Sequence, residues 1–418
     1  MDICKILGIS ENTYELSKKA EEISKKEFEK IEEIAFYNQL KVQKAFQNAR
    51  ISQTHFTPTS GYGYDDEGRE ALDKVYAEVF GSEAAIVRAN IISGTHALST
   101  MLFALLRPGD KLLAATGKPY DTLEGVIKGG KSSLESFGVS YGEVPLTGSG
   151  TPDYEGIKKA LSEKSVKVVM LQRSKGYAIR PSLTVSEIEK LCSFIKAERS
   201  DVIIAVDNCY GEFVEKKEPT EVGADIMAGS LIKNPGGGLA PTGGYIAGKE
   251  EYIALAADAL TAPGIGMECG CNFGMIKSLF QGFYLAPHTV SQSIKTASFC
   301  GALFSLLGYE VSPSKDEARS DIIEAVLLGS AEKVIAFCEG IQSCSPVDSF
   351  VTPVPWAMPG YSDEVIMAAG AFNQGSSIEI SADAPIRAPY AVYMQGGLTY
   401  ESGKMAVMKA CDNILKLI

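Results

Sequence analysis

The sequence contains few of the residues that metal sites, membrane spans and secretion signals require. It has three histidines, none at ligand spacing from Cys269-Gly270-Cys271, its close pair of cysteines, so no metal site is predicted. No apolar run approaches the roughly 18 residues that a membrane span needs. The first residues also lack the basic and apolar regions of a signal peptide.

An excess of basic charge is also missing. The 418-residue chain carries 40 Lys and Arg against 52 Asp and Glu, a formal net charge of -12, and it has no basic stripe of the kind that binds nucleic acid. Its nine cysteines are scattered and odd in number, as in proteins of a reducing compartment. We therefore expect a cytoplasmic protein without nucleic-acid or membrane partners.

What the chain does have is a regular alternation of strand and helix patterns between residues 111 and 206. This alternation predicts an α/β fold with a mostly parallel central sheet and helices on both faces. We place this large domain at 56–250. It follows an N-terminal helical segment at 1–55, where apolar residues at helical spacing predict a helix over 11–49.

The remaining residues, 251–418, are predicted to form linking helices and a smaller C-terminal α+β domain. Its predicted strands are 309–311, 349–354 and 377–380, and its predicted helices are 333–338 and 405–417. Arg387 in this domain lies between Pro385 and Pro389, which stiffen the chain. A rigidly held arginine suits bidentate binding of a carboxylate, although an ordinary surface arginine is the alternative.

One carboxylate and one lysine indicate a cofactor. The apolar run that ends in Asp207 is typical of a buried parallel strand, and ligands of α/β sheets bind at the carboxyl ends of such strands. Lys233 follows a second short apolar segment, among glycines. Pyridoxal phosphate needs an anion beside its ring nitrogen and an amine for its aldehyde. The alternative is a strand-end carboxylate and a solvated lysine.

Two further segments are candidates for binding an anion. Ser93-Gly94-Thr95 opens a predicted helix, where free backbone amides can hold a phosphate, although such a sequence is also an ordinary N-cap. Tyr62 and Tyr64, with Arg69, lie in a segment rich in glycine and tyrosine. That segment is either an anion-binding arm or an exposed turn ahead of a helix.

In order along the chain, these motifs resemble the aspartate-aminotransferase-type fold, fold type I of the pyridoxal-phosphate enzymes. More narrowly, the chain resembles the cystathionine/methionine gamma-lyase group, and within it the branch described as methionine gamma-lyase-like or aluminium-resistance proteins. The resemblance covers nearly the whole chain. The segments that carry it are 93–97 (SGTHA), 206–212 (VDNCYGE) and 228–238 (AGSLIKNPGGG).

The resemblance implies a role for each candidate residue. Lys233 would bind the aldehyde of pyridoxal 5'-phosphate and move the Cα proton, and a dry pocket is expected to disfavour its ammonium form. Asp207 would pair with the ring nitrogen, and Tyr120 would stack on the ring and assist the leaving group. The other residues implied to bind the cofactor are Ser93, Gly94, Thr95, Ser230, Gln172 and Tyr62. Those implied to bind the substrate are Arg387, Arg173 and Tyr64.

The implied activity is a carbon–sulfur lyase that performs β- or γ-elimination on cystathionine, methionine or cysteine. Alternatives are another pyridoxal-phosphate reaction (aldolase, decarboxylase or aminotransferase) or a non-catalytic cofactor-binding protein of stress resistance. The group's members imply a homodimer or homotetramer with active sites at the interface. Its usual Tyr-x-Arg pair is replaced here by Tyr62, Tyr64 and a more distant Arg69, which puts the usual contact across the interface in doubt.

Overall fold

The computed structural model describes residues 2–358 and 363–418. The predicted helix at 11–49 is confirmed. In the described residues the helices are α1 (Ile3–Leu7), α2 (Glu11–Asn48), α3 (Glu67–Phe80), α4 (Gly94–Leu105), α5 (Asp121–Ile127), α6 (Tyr154–Leu161), α7 (Val185–Glu198), α8 (Glu250–Leu260), α9 (Ile276–Leu306), α10 (Ala331–Ser343) and α11 (Tyr400–Leu415). None of the described helices is both long and apolar enough to cross a membrane.

A seven-stranded sheet forms the centre of the larger part of the chain. Its strands are β1 (Ala84–Arg88), β2 (Lys111–Ala114), β3 (Ser140–Glu143), β4 (Val166–Gln172), β5 (Ile203–Asp207), β6 (Ile226–Ser230) and β7 (Gly244–Gly248). They lie in the order β1-β7-β6-β5-β4-β2-β3. Of these seven, β7 runs opposite to the others, so the predicted mostly parallel sheet is confirmed.

Helices cover both faces of this sheet, as predicted. Because successive side chains of a strand point to opposite faces, Val169 and Leu171 of β4 join one apolar core with α3, α6, α7 and α9. Their neighbours Val168 and Met170 join a second core with α4, α5 and α8. A strand that is buried on both faces must be apolar throughout, which is why β4 and β5 are nearly continuous runs of aliphatic residues.

A second, five-stranded sheet forms the smaller part of the molecule. Its strands are β8 (Glu310–Ser312), β9 (Ile323–Leu327), β10 (Val365–Ala369), β11 (Ser381–Pro385) and β12 (Ala391–Gln395). They lie in the order β10-β11-β12-β9-β8, and each neighbouring pair is antiparallel. Helices α9 and α10 pack on this sheet and α11 packs on these two helices, and the three share one apolar core with the sheet.

Two strands predicted for this smaller sheet are wrong. Residues 349–354 form no strand, and Val351 and Val354 in that apolar run are exposed. Residues 377–380 also form no strand, because turn hydrogen bonds such as Glu379 N–H to the Ser376 carbonyl hold the backbone until β11 begins. The predicted strand at 309–311 and helices at 333–338 and 405–417 overlap β8, α10 and α11.

Candidate active site

A cavity of about 270 Å³ lies between the two sheets. The carboxyl ends of β4, β5 and β6 and the start of α4 form one wall, and strands β10 and β11 with the turn before β11 form the other. We call these the large-sheet wall and the small-sheet wall. The residues that line the cavity include Ser93, Gly94, Thr95, Tyr120, Gln172, Tyr177, Asp207, Cys209, Tyr210, Ser230, Lys233, Ser376, Ser377, Ser381 and Asp383.

Asp207 is the last residue of β5, so its side chain lies where the strand meets the cavity. It is 6% exposed, and the Cys209 backbone N–H donates to its Oδ1 at 3.1 Å. Burial raises the pKa of this carboxyl, and the positive charge of Lys233 opposes that rise. A cationic group placed beside Asp207 would therefore be strongly favoured.

Lys233 lies in the turn that follows β6, and its backbone N–H donates to the Ser230 carbonyl at 3.3 Å. Its Nζ is 3.9 Å from the centroid of the Tyr210 ring. Burial opposes the ammonium form, but neighbouring groups, Asp207 among them, outweigh burial and raise the pKa of Lys233. Burial thus acts on Lys233 in the expected direction, but Cys209, Tyr210 and Asp207 together act more strongly in the opposite direction.

The start of α4 forms a cup at one end of the cavity. The Ser93 hydroxyl caps the helix by accepting the His96 N–H at 3.0 Å. A Cβ atom on Gly94 would lie 3.1 Å from Cys209 Sγ and 3.3 Å from Ser230 Cβ, so a side chain here would crowd the cup. The Ser230 hydroxyl is buried and has no hydrogen-bond partner, which is the state of a donor that a phosphate oxygen would satisfy.

Tyr120 and Gln172 also reach the cavity. Tyr120 precedes α5, and its ring centroid lies 5.9 Å from that of Tyr177. The Gln172 amide donates to the Ser174 carbonyl at 3.0 Å, whereas its carbonyl oxygen is buried without a partner. The structure thus brings these two together with Asp207, Lys233 and the α4 cup in one cavity. These residues fit a ring, an aldehyde and a phosphate bound in a row.

Arg173 does not line the cavity, and the sequence-based assignment of this residue to the substrate is corrected here. It follows Gln172, and successive residues of an extended chain point to opposite sides. Its guanidinium is fully buried and donates to Asn208 at 2.8 Å, Glu218 at 3.2 Å and Glu215 at 3.1 Å. Arg173 is therefore a structural ion-pair residue in this arrangement.

Arg387 is also absent from the cavity wall. Its guanidinium lies 2.7 Å from an Asp363 carboxylate oxygen, and its side chain is 47% exposed. The turn that carries it lies beyond the end of β11, so the flanking prolines fix it outside the pocket. In this arrangement Arg387 pairs with Asp363 and does not form the predicted carboxylate clamp.

Tyr62 and Tyr64 lie at the surface and not in the cavity of their own chain. Their side chains are exposed and their ring centroids are 5.5 Å apart. Arg69 is 3% exposed and donates to the backbone carbonyls of Gly63 at 2.7 Å and Gly270 at 2.9 Å. Arg69 therefore braces the tyrosine segment from within the protein.

Sequence reasoning missed several residues of the cavity, among them Tyr210, Ser377 and Asp383. The Ser377 hydroxyl donates to Tyr210 Oη at 3.0 Å, so these two link the walls. Tyr210 belongs to the 206–212 segment, but the sequence alone gave it no role. Asp383 could have been found from the alternation in β11, because Ala382 and Ala384 are fully buried in the core while Ser381 and Asp383 line the cavity.

Comparison with known proteins places these observations in a family. A family model described as methionine gamma-lyase matches residues 13–415. An uncharacterized protein of Bacillus subtilis, YnbB, is 52% identical over 390 residues, which is 92% of each chain.

Solved structures give the same result. A candidate cystathionine beta-lyase involved in aluminium resistance from Listeria monocytogenes superposes with a TM-score of 0.94 at 52% identity, covering 96% of this chain and 100% of that one. The fold alone is shared with YhfS, a pyridoxal-5'-phosphate-dependent protein of Escherichia coli (TM-score 0.62, 16% identity, 93% of this chain and 97% of that one). These matches confirm the resemblance, the fold class and the pyridoxal 5'-phosphate cofactor.

Proposed function

The chain belongs to the methionine gamma-lyase family, and from that premise we propose that it is a pyridoxal-phosphate-dependent carbon–sulfur lyase acting on a sulfur-containing amino acid. The observation that carries the proposal is that the Lys233 amine and the Asp207 carboxylate line the same cavity. Further support comes from the buried, unpartnered Ser230 hydroxyl in that cavity.

The residues of the large-sheet wall divide the cofactor among them. Lys233 would bind the aldehyde, Asp207 would face the ring nitrogen, and Tyr120 would cover the ring. The phosphate would be held by Ser93, Gly94, Thr95 and Ser230. When bound, pyridoxal phosphate accepts the electron pair left at Cα and so permits loss of the Cα proton and of a β or γ substituent.

The chain's own groups then supply the proton transfer. Lys233 Nζ would be the group that accepts the substrate Cα proton, and a positioned side chain typically accelerates such a transfer by about 10²–10⁴-fold. Tyr210, against which this amine packs, limits where the amine can move. The Asp207 carboxylate favours the protonated form of the ring nitrogen, because an opposite charge in a buried site stabilises the charged form.

Product analysis tests the proposal. The purified protein with cofactor should convert cystathionine, methionine or cysteine to a 2-keto acid, ammonia and a thiol or sulfide, with uptake of one water. Pyruvate with homocysteine from cystathionine would identify β-elimination, and 2-oxobutyrate with cysteine would identify γ-elimination. Turnover of a β-hydroxy amino acid in place of all three would assign another reaction, and no product from any amino acid would leave a non-catalytic role.

The surface tyrosines support a homo-oligomer, dimer or tetramer, as the further part of this proposal. Tyr62 and Tyr64 are 74% and 61% exposed, and Arg69 holds their segment in place without entering the cavity. In the proposed oligomer, Tyr62 contacts the cofactor phosphate of a neighbouring copy. Sedimentation should give a dimer or larger species, and a monomer with full activity would contradict this part.

The nine cysteines are all free, which supports a cytoplasmic location.

A further inference from the structure

The small-sheet wall places a carboxylate in the cavity that the proposed reaction does not use. Asp383 is in the middle of β11, and its side chain lines the cavity together with that of Ser381. On the large-sheet wall, Asp207 already serves the ring nitrogen in the proposed function. A second carboxylate in so small a site needs its own explanation, because burying a charge without a partner is costly.

Neutral groups hold this carboxylate in position. The Gln395 amide donates to Asp383 Oδ2 at 2.8 Å, and the Tyr177 hydroxyl also hydrogen-bonds to the carboxylate. Tyr177 is itself fixed, since its backbone carbonyl accepts the Tyr393 hydroxyl at 2.8 Å. These contacts orient Asp383 but do not neutralise it. No described lysine or arginine forms an ion pair with Asp383.

Lys233 is the one cationic side chain among the described residues of the cavity lining. Its positive charge favours the ionised form of Asp383, while burial opposes that form and raises the pKa of Asp383 to about 7. Among the described residues Asp383 therefore has neutral hydrogen-bond partners and no ion-pair partner. An ammonium group of a ligand placed beside it would supply the missing opposite charge and favour its ionised form.

We propose that Asp383 binds a second ammonium group, carried by the sulfur substituent of the substrate. This inference rests on the proposed function and narrows it to one substrate class: thioether amino acids whose leaving group carries an ammonium, as the distal half of cystathionine does. An uncharged alkyl thioether such as methionine leaves the carboxylate unpaired. A hydrogen bond between charged groups is typically worth about 1.5–3 kcal/mol, which corresponds to roughly 10–100-fold in affinity.

A pair of matched substrates tests the inference on the holoenzyme. S-(2-aminoethyl)-L-cysteine and S-propyl-L-cysteine have the same chain length and differ in one ammonium group. The wild type should prefer the aminoethyl compound by about 10–100-fold in kcat/KM. Asp383→Asn, which keeps the size and an acceptor for Gln395, should remove that preference, because kcat/KM should fall far more for the aminoethyl compound than for the propyl compound.

Asp363→Asn is the matched control, since Asp363 belongs to the same part of the chain but pairs with Arg387 outside the cavity; it should keep the preference. Equal rates for the two substrates in the wild type would overturn the inference and leave the lyase function standing. An equal loss on both substrates in Asp383→Asn would also overturn it, because that result describes a purely structural residue.

Binding gives a second readout that needs no elimination. L-lysine and L-2-aminoheptanoic acid match the two substrates in length but have no leaving group. In calorimetric titration of the holoenzyme, lysine should bind about 10–100-fold more tightly, and Asp383→Asn should equalise the two. If no thioether is turned over, the lyase proposal fails while this titration still decides the role of Asp383. Equal affinity in the wild type refutes the ammonium site.

Discussion

The two walls of the cavity differ in how directly the local sequence determines which side chains reach the cavity. The large-sheet wall is made by strands that end at the same edge, so Gln172, Asp207 and Ser230 arrive there by topology alone. The small-sheet wall is an antiparallel sheet, and its side chains reach the cavity because this second sheet lies across the cavity from the first. We propose that the first wall binds the cofactor and that the second selects the substrate.

Charged residues sharpen this contrast. Behind the large-sheet wall, Arg173, Glu218 and Glu212 are buried, and Arg173 forms an ion pair with Glu218. At the far side of the small-sheet wall, Arg387 is half exposed and pairs with Asp363. A charged residue that neighbours a cavity residue in the sequence therefore need not line the cavity. Four substitutions test which of these residues act in the cavity and which act outside it.

Lys233→Ala should have the largest effect, because it removes the amine that we propose binds the cofactor aldehyde and accepts the Cα proton. We expect loss of the visible absorbance of the lysine-bound cofactor and a fall in keto-acid release of at least about 100-fold, with an unchanged circular dichroism spectrum. Lys216→Ala, which removes an exposed lysine paired with Glu33, is the control and should retain both signals. Retained absorbance in Lys233→Ala would assign the cofactor to another lysine.

Arg173→Ala should lower the free energy of unfolding by about 3–5 kcal/mol, because it leaves the buried Glu218 without its cation. Urea denaturation measures this loss. The double variant Arg173→Ala/Glu218→Gln should recover part of the stability, since the stranded charge is gone. A raised KM with unchanged stability would instead return Arg173 to the substrate site.

Glu212→Gln should change how stability depends on pH. Burial raises the pKa of Glu212 to about 8, so the folded protein holds this proton more tightly than the unfolded chain does. That stabilisation is complete below the unfolded pKa and is lost as pH rises through about 8, and each tenfold difference in proton affinity is worth roughly 1.4 kcal/mol. Urea denaturation at pH 5 and pH 8 should show a smaller fall in the variant than in the wild type. An identical fall would show that other groups cause it.

Arg387→Ala should have the smallest effect. An exposed ion pair such as Arg387–Asp363 contributes about 0–1 kcal/mol, and KM should change by less than about 2-fold if the residue stays outside the cavity. Steady-state kinetics on the best thioether substrate measures this. A rise in KM of tenfold or more would mean that the pair opens and that Arg387 binds the substrate carboxylate after all.

The sequence allowed the large sheet and its edge residues to be predicted because apolar runs that end in a polar residue have few other interpretations. The pattern placed Asp207 at the end of a strand, whereas the assignment of Lys233 and residues 93–95 to the same site came from the resemblance to the family. Strands β9, β10, β11 and β12 were missed, since their pairing depends on partners distant in the chain. The apolar run at 349–354 was mistaken for a strand, because hydrophobicity does not reveal whether a neighbouring strand exists.

The sequence analysis also failed to predict the direction in which some side chains point. Gln172 and Arg173 were assigned to one site together, although neighbouring residues of an extended chain face opposite sides. The same alternation, applied to β11, separates Asp383 from Ala382 and Ala384 and would have identified it. Arg387 was predicted to bind the substrate because two prolines flank it. The prolines indicate that its segment is rigid, but they do not indicate whether the side chain lies in the cavity.

The antiparallel pairing of β6 and β7 has a consequence for the lysine between them. Gly229 and Ser230 pair with Tyr245 and Gly244, and the Leu231 N–H donates to the Gly243 carbonyl at 2.9 Å. The segment that carries Lys233 is thus a tether closed at its base. Because its base is fixed, we expect the Lys233 amine to stay near the proposed cofactor position, which keeps its effective concentration there high. Cutting the backbone once in this segment should lower that effective concentration although every residue is still present.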